Sequence, residues 1–196
     1  IVVLLLIAAA SGLVFNAFTV LIPKLMQERL AGSPSLLPLA GAAATVATLC
    51  GAVTQFTVGR LIDRMTLRRI FLPMSAVLLP ALLALAVAPG WSAVAIAGVV
   101  AAVIFGQVTV NETMAARYIA PSLRVRLYSW RFFVSFLGAA AAPPLVAVLH
   151  DRTGSLAAAV LVLAAFSVVT LGCAVFFPDR PEELQPELWA MPQPAE

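Results

Sequence analysis

Charge is scarce in this chain: only 11% of its 196 residues are Asp, Glu, Lys or Arg, against about 25% in soluble globular domains. With 62% hydrophobic residues and a mean hydropathy of +1.04, a water-soluble globule of this size is excluded. Histidine is scarcer still, with His150 alone, and no carboxylate pair falls inside an apolar run. Hydrolysis inside a membrane needs a nucleophile with a base, or two positioned carboxylates. No serine motif points to His150, so an enzyme is not expected. The two cysteines, Cys50 and Cys173, lie in apolar runs without a partner at metal-ligand spacing and read as small buried hydrophobes. No metal and no cofactor is expected. The formal charge of +3 does not point to nucleic acid, because no basic patch is interleaved with base-stacking aromatics.

What the chain has instead is long uncharged runs. A hydrocarbon core of about 30 Å needs about 20 apolar residues in a helix. Such runs recur at roughly 2–22, 36–59, 70–88, 92–111, 132–149 and 155–177. The third and fourth would fuse, but Ala88-Pro89-Gly90-Trp91 interrupts them with a tight turn and an interfacial tryptophan. Alternation suited to membrane strands is absent. The expected fold class is an all-α membrane protein of six transmembrane helices embedded in a lipid bilayer.

The basic residues orient it. Arg60, Arg64, Arg68, Arg69, Arg117, Arg124, Arg126, Arg131 and Arg180 fall on the side that holds Ile1, and only Lys24, Arg29 and Arg152 on the other. The positive-inside rule then puts both ends of the chain in the cytoplasm. Residues 1–178 form the six-helix bundle, and 179–196, acidic and proline-rich, read as a disordered cytoplasmic tail. The start resembles the apolar part of a signal peptide. It lacks a basic flank and runs uncharged to Pro23, so it reads as a spanning helix cut from a longer chain.

The second and fifth runs end alike. Val58, Leu61, Asp63 and Arg64 recur as Val146, Leu149, Asp151 and Arg152, at an offset of 88 residues. Three helices separate the copies, so they face opposite sides of the membrane, the mark of a 3+3 inverted repeat. Asp63 follows the last turn of a helix, where the macrodipole already presents negative charge. A partner would stabilise it there; a solvated loop aspartate is the plainer reading.

At these residues the chain resembles the major facilitator superfamily, and specifically its C-terminal six helices. Gly59-Arg60-Leu61-Ile62-Asp63-Arg64-Met65-Thr66-Leu67-Arg68-Arg69 is similar to the signature loop G-x-L-a-D-r-x-G-r-R/K. Ile62 replaces its small residue, Thr66 its second glycine and Leu67 an arginine. Pro121-Ser122-Leu123-Arg124-Val125-Arg126 resembles the loop before the family's eleventh helix, and Leu149-His150-Asp151-Arg152-Thr153-Gly154 the end of that helix. The resemblance implies one half of a secondary transporter, with an N-terminal six-helix half as partner and a small-molecule substrate. It implies alternating access in a cell membrane, expected to be a bacterial inner membrane, and leaves room for proton coupling. A six-helix non-transporting subunit or scaffold is the alternative.

The second helix places Gly41, Thr45, Thr48, Ala52, Gln55 and Gly59 on one narrow face, at about 100° per residue. A small and polar stripe either packs closely on another helix or lines a cavity. Asn16, Thr45, Thr48, Gln55, Gln107 and Ser135 are the cavity candidates, with helix–helix hydrogen bonding as the other reading for Asn16, Thr48 and Gln107. Pro143-Pro144 should kink the fifth helix. Asp63, Arg64, Glu112 and Arg131 are candidates for a cytoplasmic charge gate. Glu112 lies 21 residues past Trp91, roughly 31 Å along a helix, and Arg131 reaches nearly the same depth from Leu149. Separate snorkelling of Glu112 and Arg131 into water is the alternative.

Overall fold

The computed structural model describes residues 2–31, 37–119 and 121–185. Six helices carry almost all of it: α1 (Val2–Leu30), α2 (Ala40–Ile62), α3 (Leu67–Val87), α4 (Gly90–Tyr118), α5 (Pro121–Thr153) and α6 (Ala157–Phe176). All six are long and apolar enough to cross a membrane, and no strand occurs among the described residues. Leu37–Leu39 and Pro181–Leu184 form single 3₁₀ turns. Of the acidic stretch expected to be a tail, residues 186–196 lie outside the described residues. At the start of that stretch, Asp179 sits 3.7 Å from Arg69.

The helices are longer than the apolar runs that announced them. α1 continues through Pro23 to Leu30 because Leu25, Met26 and Leu30 are buried under neighbouring helices. Lys24 and Gln27 face outward over the same turns. The stretch 121–126, expected as a loop, is already helix. Pro121 opens it, where a proline's missing N–H and fixed φ cost nothing. The break between α3 and α4 falls where the sequence placed it, with Gly90 at φ +51°, a conformation that side chains disfavour. α5 runs unbroken past Pro143 and Pro144.

Small residues set how the bundle packs. α2 lies along α4 with Ala40, Ala43, Ala44, Ala47 and Gly51 turned inward, and α4 offers fully buried Ala93, Ala97 and Ala101. In lipid the hydrophobic effect does not drive helices together, so such close backbone approach supplies the contact energy. α1 meets α5, α6 and α4, and α3 meets α6 and α4. Gly12 against Ser135, and Gly138 against Leu13, bring α1 and α5 into van der Waals contact. A separate apolar space of about 30 Å³ remains between α1, α5 and α6.

The far end of α1 ties two other helices by their ends. Glu28 accepts hydrogen bonds from Leu156 N at 2.8 Å and Ser155 Oγ at 2.9 Å, at the N-terminus of α6. Arg29 donates to Ala86 O at 2.6 Å, in the last turn of α3. An anion thus meets the positive end of one helix dipole and a cation the negative end of another. Glu28→Ala should lower stability by about 1–2 kcal/mol. Thermal unfolding in detergent checks this; Glu28→Gln, which keeps an acceptor, should lose less.

Candidate functional site

One group of polar side chains lies where α1, α4 and α5 converge. They surround a cleft of about 200 Å³ edged by Ser11, Asn111, Glu112, Arg131 and Ser135, with Phe15 and Phe132 among its apolar walls.

Each wall is set by a local bond. On α1 the Ser11 hydroxyl donates back to Ile7 O at 2.5 Å, satisfying itself within the helix. That orientation leaves its oxygen to accept from Asn111 Nδ2 at 2.7 Å. Asn111 and Glu112 are consecutive on α4, so their side chains diverge by about 100°: the first reaches α1 and the second α5. Arg131 Nη2 lies 2.6 Å from Glu112 Oε1, a charge-assisted bond. Its guanidinium lies 6.0 Å from the centre of the Tyr128 ring. The Arg131 side chain is 15% exposed and that of Glu112 46%, so the carboxylate is the more accessible charge. A smaller space of about 10 Å³ lies beside the cleft, with Leu5, Ile7, Met114 and Leu127 in its walls and Asn111 and Arg131 shared with the cleft.

Of the four gate candidates, the structure brings Glu112 and Arg131 together and leaves Asp63 and Arg64 apart. The latter two are exposed in the turn between α2 and α3. Arg117 Nη2 reaches Ile62 O at 3.4 Å, so Asp63 stands level with the last turn of α4. Glu112 is five residues earlier on that helix, roughly 7.5 Å deeper. The Asp63–Arg64 turn thus lies apart from the Glu112–Arg131 pair.

The cavity candidates divide as well. Ser135 borders the cleft. Asn16 sits one turn along α1 and donates to Gly12 O at 2.8 Å and Ser135 Oγ at 3.1 Å, closing the α1–α5 seam. Gln107 does not enter the cleft. It is 2% exposed and donates to Ser75 Oγ at 3.0 Å, tying α4 to α3. Thr45 and Thr48 bond to Gly41 O and Ala44 O of their own helix. With the partly exposed Gln55 they lie on the face of α2 that this bundle leaves uncovered. The alanine face of α2 is the one taken by α4, which turns the polar stripe outward.

Three participants escaped sequence reasoning: Ser11, Ser75 and Asn111 as a cleft residue. A serine in a run of alanines carries no signal of its own. Asn111 stood one turn from Gln107 on α4, which was the available clue. The model of the family described as Major Facilitator Superfamily matches residues 4–193. No curated protein matches the chain.

Proposed function

The chain belongs to the major facilitator superfamily, and from that premise we propose that it is one six-helix bundle of a secondary transporter, moving a small solute by alternating access. The observation that carries this reading is the α1–α4–α5 cleft. Amid apolar helices it concentrates an ion pair, an amide and two hydroxyls. Ionisable groups at membrane depth are expensive and mark substrate or ion paths.

Three further features support it. Exchanging α1 with α4, α2 with α5 and α3 with α6 maps the main helix contacts onto one another. The α2–α4 contact becomes α5–α1, the α3–α4 contact becomes α6–α1, and α3–α6 and α1–α4 return to themselves. Such an exchange supports a 3+3 inverted repeat, with the α1–α2 contact lacking a counterpart of similar extent between α4 and α5. The uncovered stripe of Gly41, Thr45, Thr48 and Ala52 on α2 fits close approach by a second bundle. The arginine excess on one side supports a cytoplasmic position for the Glu112–Arg131 pair, where its opening and closing would gate the cleft. A proton-coupled mechanism belongs to the same reading, and a bacterial inner membrane is the location proposed.

Liposome reconstitution tests it. Residues 1–196 alone should insert but give no saturable uptake from a panel of labelled solutes, because alternating access needs a second bundle to rock against. The protein that carries a second bundle should give it, measured with and without a pH gradient. Saturable uptake by residues 1–196 alone would replace the half-transporter with a homodimer.

A further inference from the structure

Two buried atoms beside the ion pair have no protein partner among the described residues: Asn111 Oδ1 and Arg131 Nη1. The first accepts hydrogen bonds and the second donates them. Asn111 is 6% exposed, so bulk water does not solvate its orphaned oxygen. Both residues line the cleft, and both line the space of about 10 Å³ beside it, room for one oxygen-sized group. Leaving a buried donor and a buried acceptor unanswered on two residues that line one space is costly.

A hydroxyl answers both at once, because its oxygen accepts one hydrogen bond while its hydrogen donates another. An ionic group fits less well. Glu112 and Arg131 already neutralise each other at 2.6 Å, and a charged substituent would have to part them and strand one charge. The walls contributed by Phe15 and Phe132 suit the C–H face of an uncharged solute. We propose that this space is a hydroxyl site, and that the transported solute is an uncharged polyhydroxylated molecule. It seats one O–H there, accepting from Arg131 Nη1 and donating to Asn111 Oδ1. The inference rests on the transport reading above. Water offers the same chemistry, and the test separates the two sources.

The intact protein, with its second bundle, is titrated in lipid nanodiscs and its thermal unfolding followed. The probes are D-glucose and D-mannitol as uncharged polyols, propionate as anion and propylammonium as cation. A saturable upward shift is expected with a polyol and with neither ion. The apparent polyol affinity should fall about 10–100-fold in Asn111→Ala, the loss expected when one partner of a buried hydrogen bond is removed. Arg131→Lys keeps a cation opposite Glu112 but removes the second edge of the guanidinium fork. It should lose affinity alike, and it carries the test if Asn111→Ala does not fold. A shift with an ion but no polyol overturns the proposal. Undiminished polyol binding in the folded variants overturns it too, and makes the space a seat for water only. If no polyol binds while uptake of another solute is measured in liposomes, the hydroxyl site falls and the transport reading stands. If no solute is taken up at all, both fall.

Discussion

Replacing Gly51 by alanine should cost the bundle about 1–3 kcal/mol, the range for overpacking a filled interior, and replacing it by valine should cost more. A Cβ at this position would stand 2.6 Å from Phe105 Cγ, 2.8 Å from Cδ2 and 3.0 Å from Cβ. The obstacle reaches to the root of the Phe105 side chain, so no rotation of a distal atom relieves it. Phe105 is itself held edge-to-face by Phe15, with ring centres 5.1 Å apart. Relief must therefore come from separating α2 and α4 along their alanine seam. Gly106 offers the internal comparison. The atom nearest its added Cβ is Met74 Cε, with Thr54 Cγ2 at 3.1 Å and Val58 Cγ2 at 3.2 Å. A methionine terminus can turn aside, so Gly106→Ala should cost less than Gly51→Ala. Thermal unfolding of both variants in detergent decides the order. If Gly106→Ala is the worse, the rigid contact is not the one at Phe105.

The ion pair should respond unequally to the loss of its two members. Glu112→Leu strands Arg131, whose side chain is 15% exposed and already holds one buried nitrogen without a partner. A loss of about 1.5–3 kcal/mol is expected, as for a hydrogen bond to a charged group. Arg131→Leu strands Glu112, which at 46% exposure can turn to water. Its cost should stay near or below about 1 kcal/mol, the range of solvated pairs. The double variant should be more stable than Glu112→Leu alone, a coupling that a double-mutant cycle measures directly. Asp63→Asn, at an exposed position in the turn after α2, should change stability by less than about 0.5 kcal/mol. Equal losses for Glu112→Leu and Arg131→Leu would mean that the guanidinium is hydrated after all. The gate reading has its own readout in the intact protein. Both Leu variants should raise cysteine labelling of the cleft from the cytoplasmic side, and unchanged labelling would reduce the pair to a structural tie.

Depth in the membrane was legible in the sequence, and direction around each helix was not. Helix rise is nearly constant, so counting from Trp91 and from Leu149 put Glu112 and Arg131 at the same level, and they meet. The turn residues Pro89-Gly90 placed the break between α3 and α4. Asp63 lies apart from the Glu112–Arg131 pair because the last turn of α4 extends past Glu112 and Arg117 engages Ile62. Helix ends were misjudged where charged turns continue the helix: in α1 beyond Pro23, where Leu25, Met26 and Leu30 are buried, and in α5 before Phe132, a stretch that stays largely exposed. Hydropathy reports where lipid stops and not where the helix stops. The azimuth of Gln107 depends on which neighbour lies on which flank of α4, and that follows from tertiary packing alone. The same blindness affected Thr45, Thr48 and Gln55. Their shared face on α2 was identified, but the alanine face beside it was the one that found a partner.

The order of two letters at the C-terminal end of α1 has a rotational consequence. Glu28 and Arg29 are consecutive, so they point about 100° apart around the helix axis, one at the start of α6 and the other at the end of α3. Turning α1 by one residue would bring either Arg29 to the positive end of α6 or Glu28 to the negative end of α3, and exchanging the two letters would do both. Each such contact would repel. The pair therefore acts as a key with one polarity, fixing the angle at which α1 enters the bundle. Through that angle it also fixes the face on which Ser11, Gly12 and Asn16 are presented to α4 and α5.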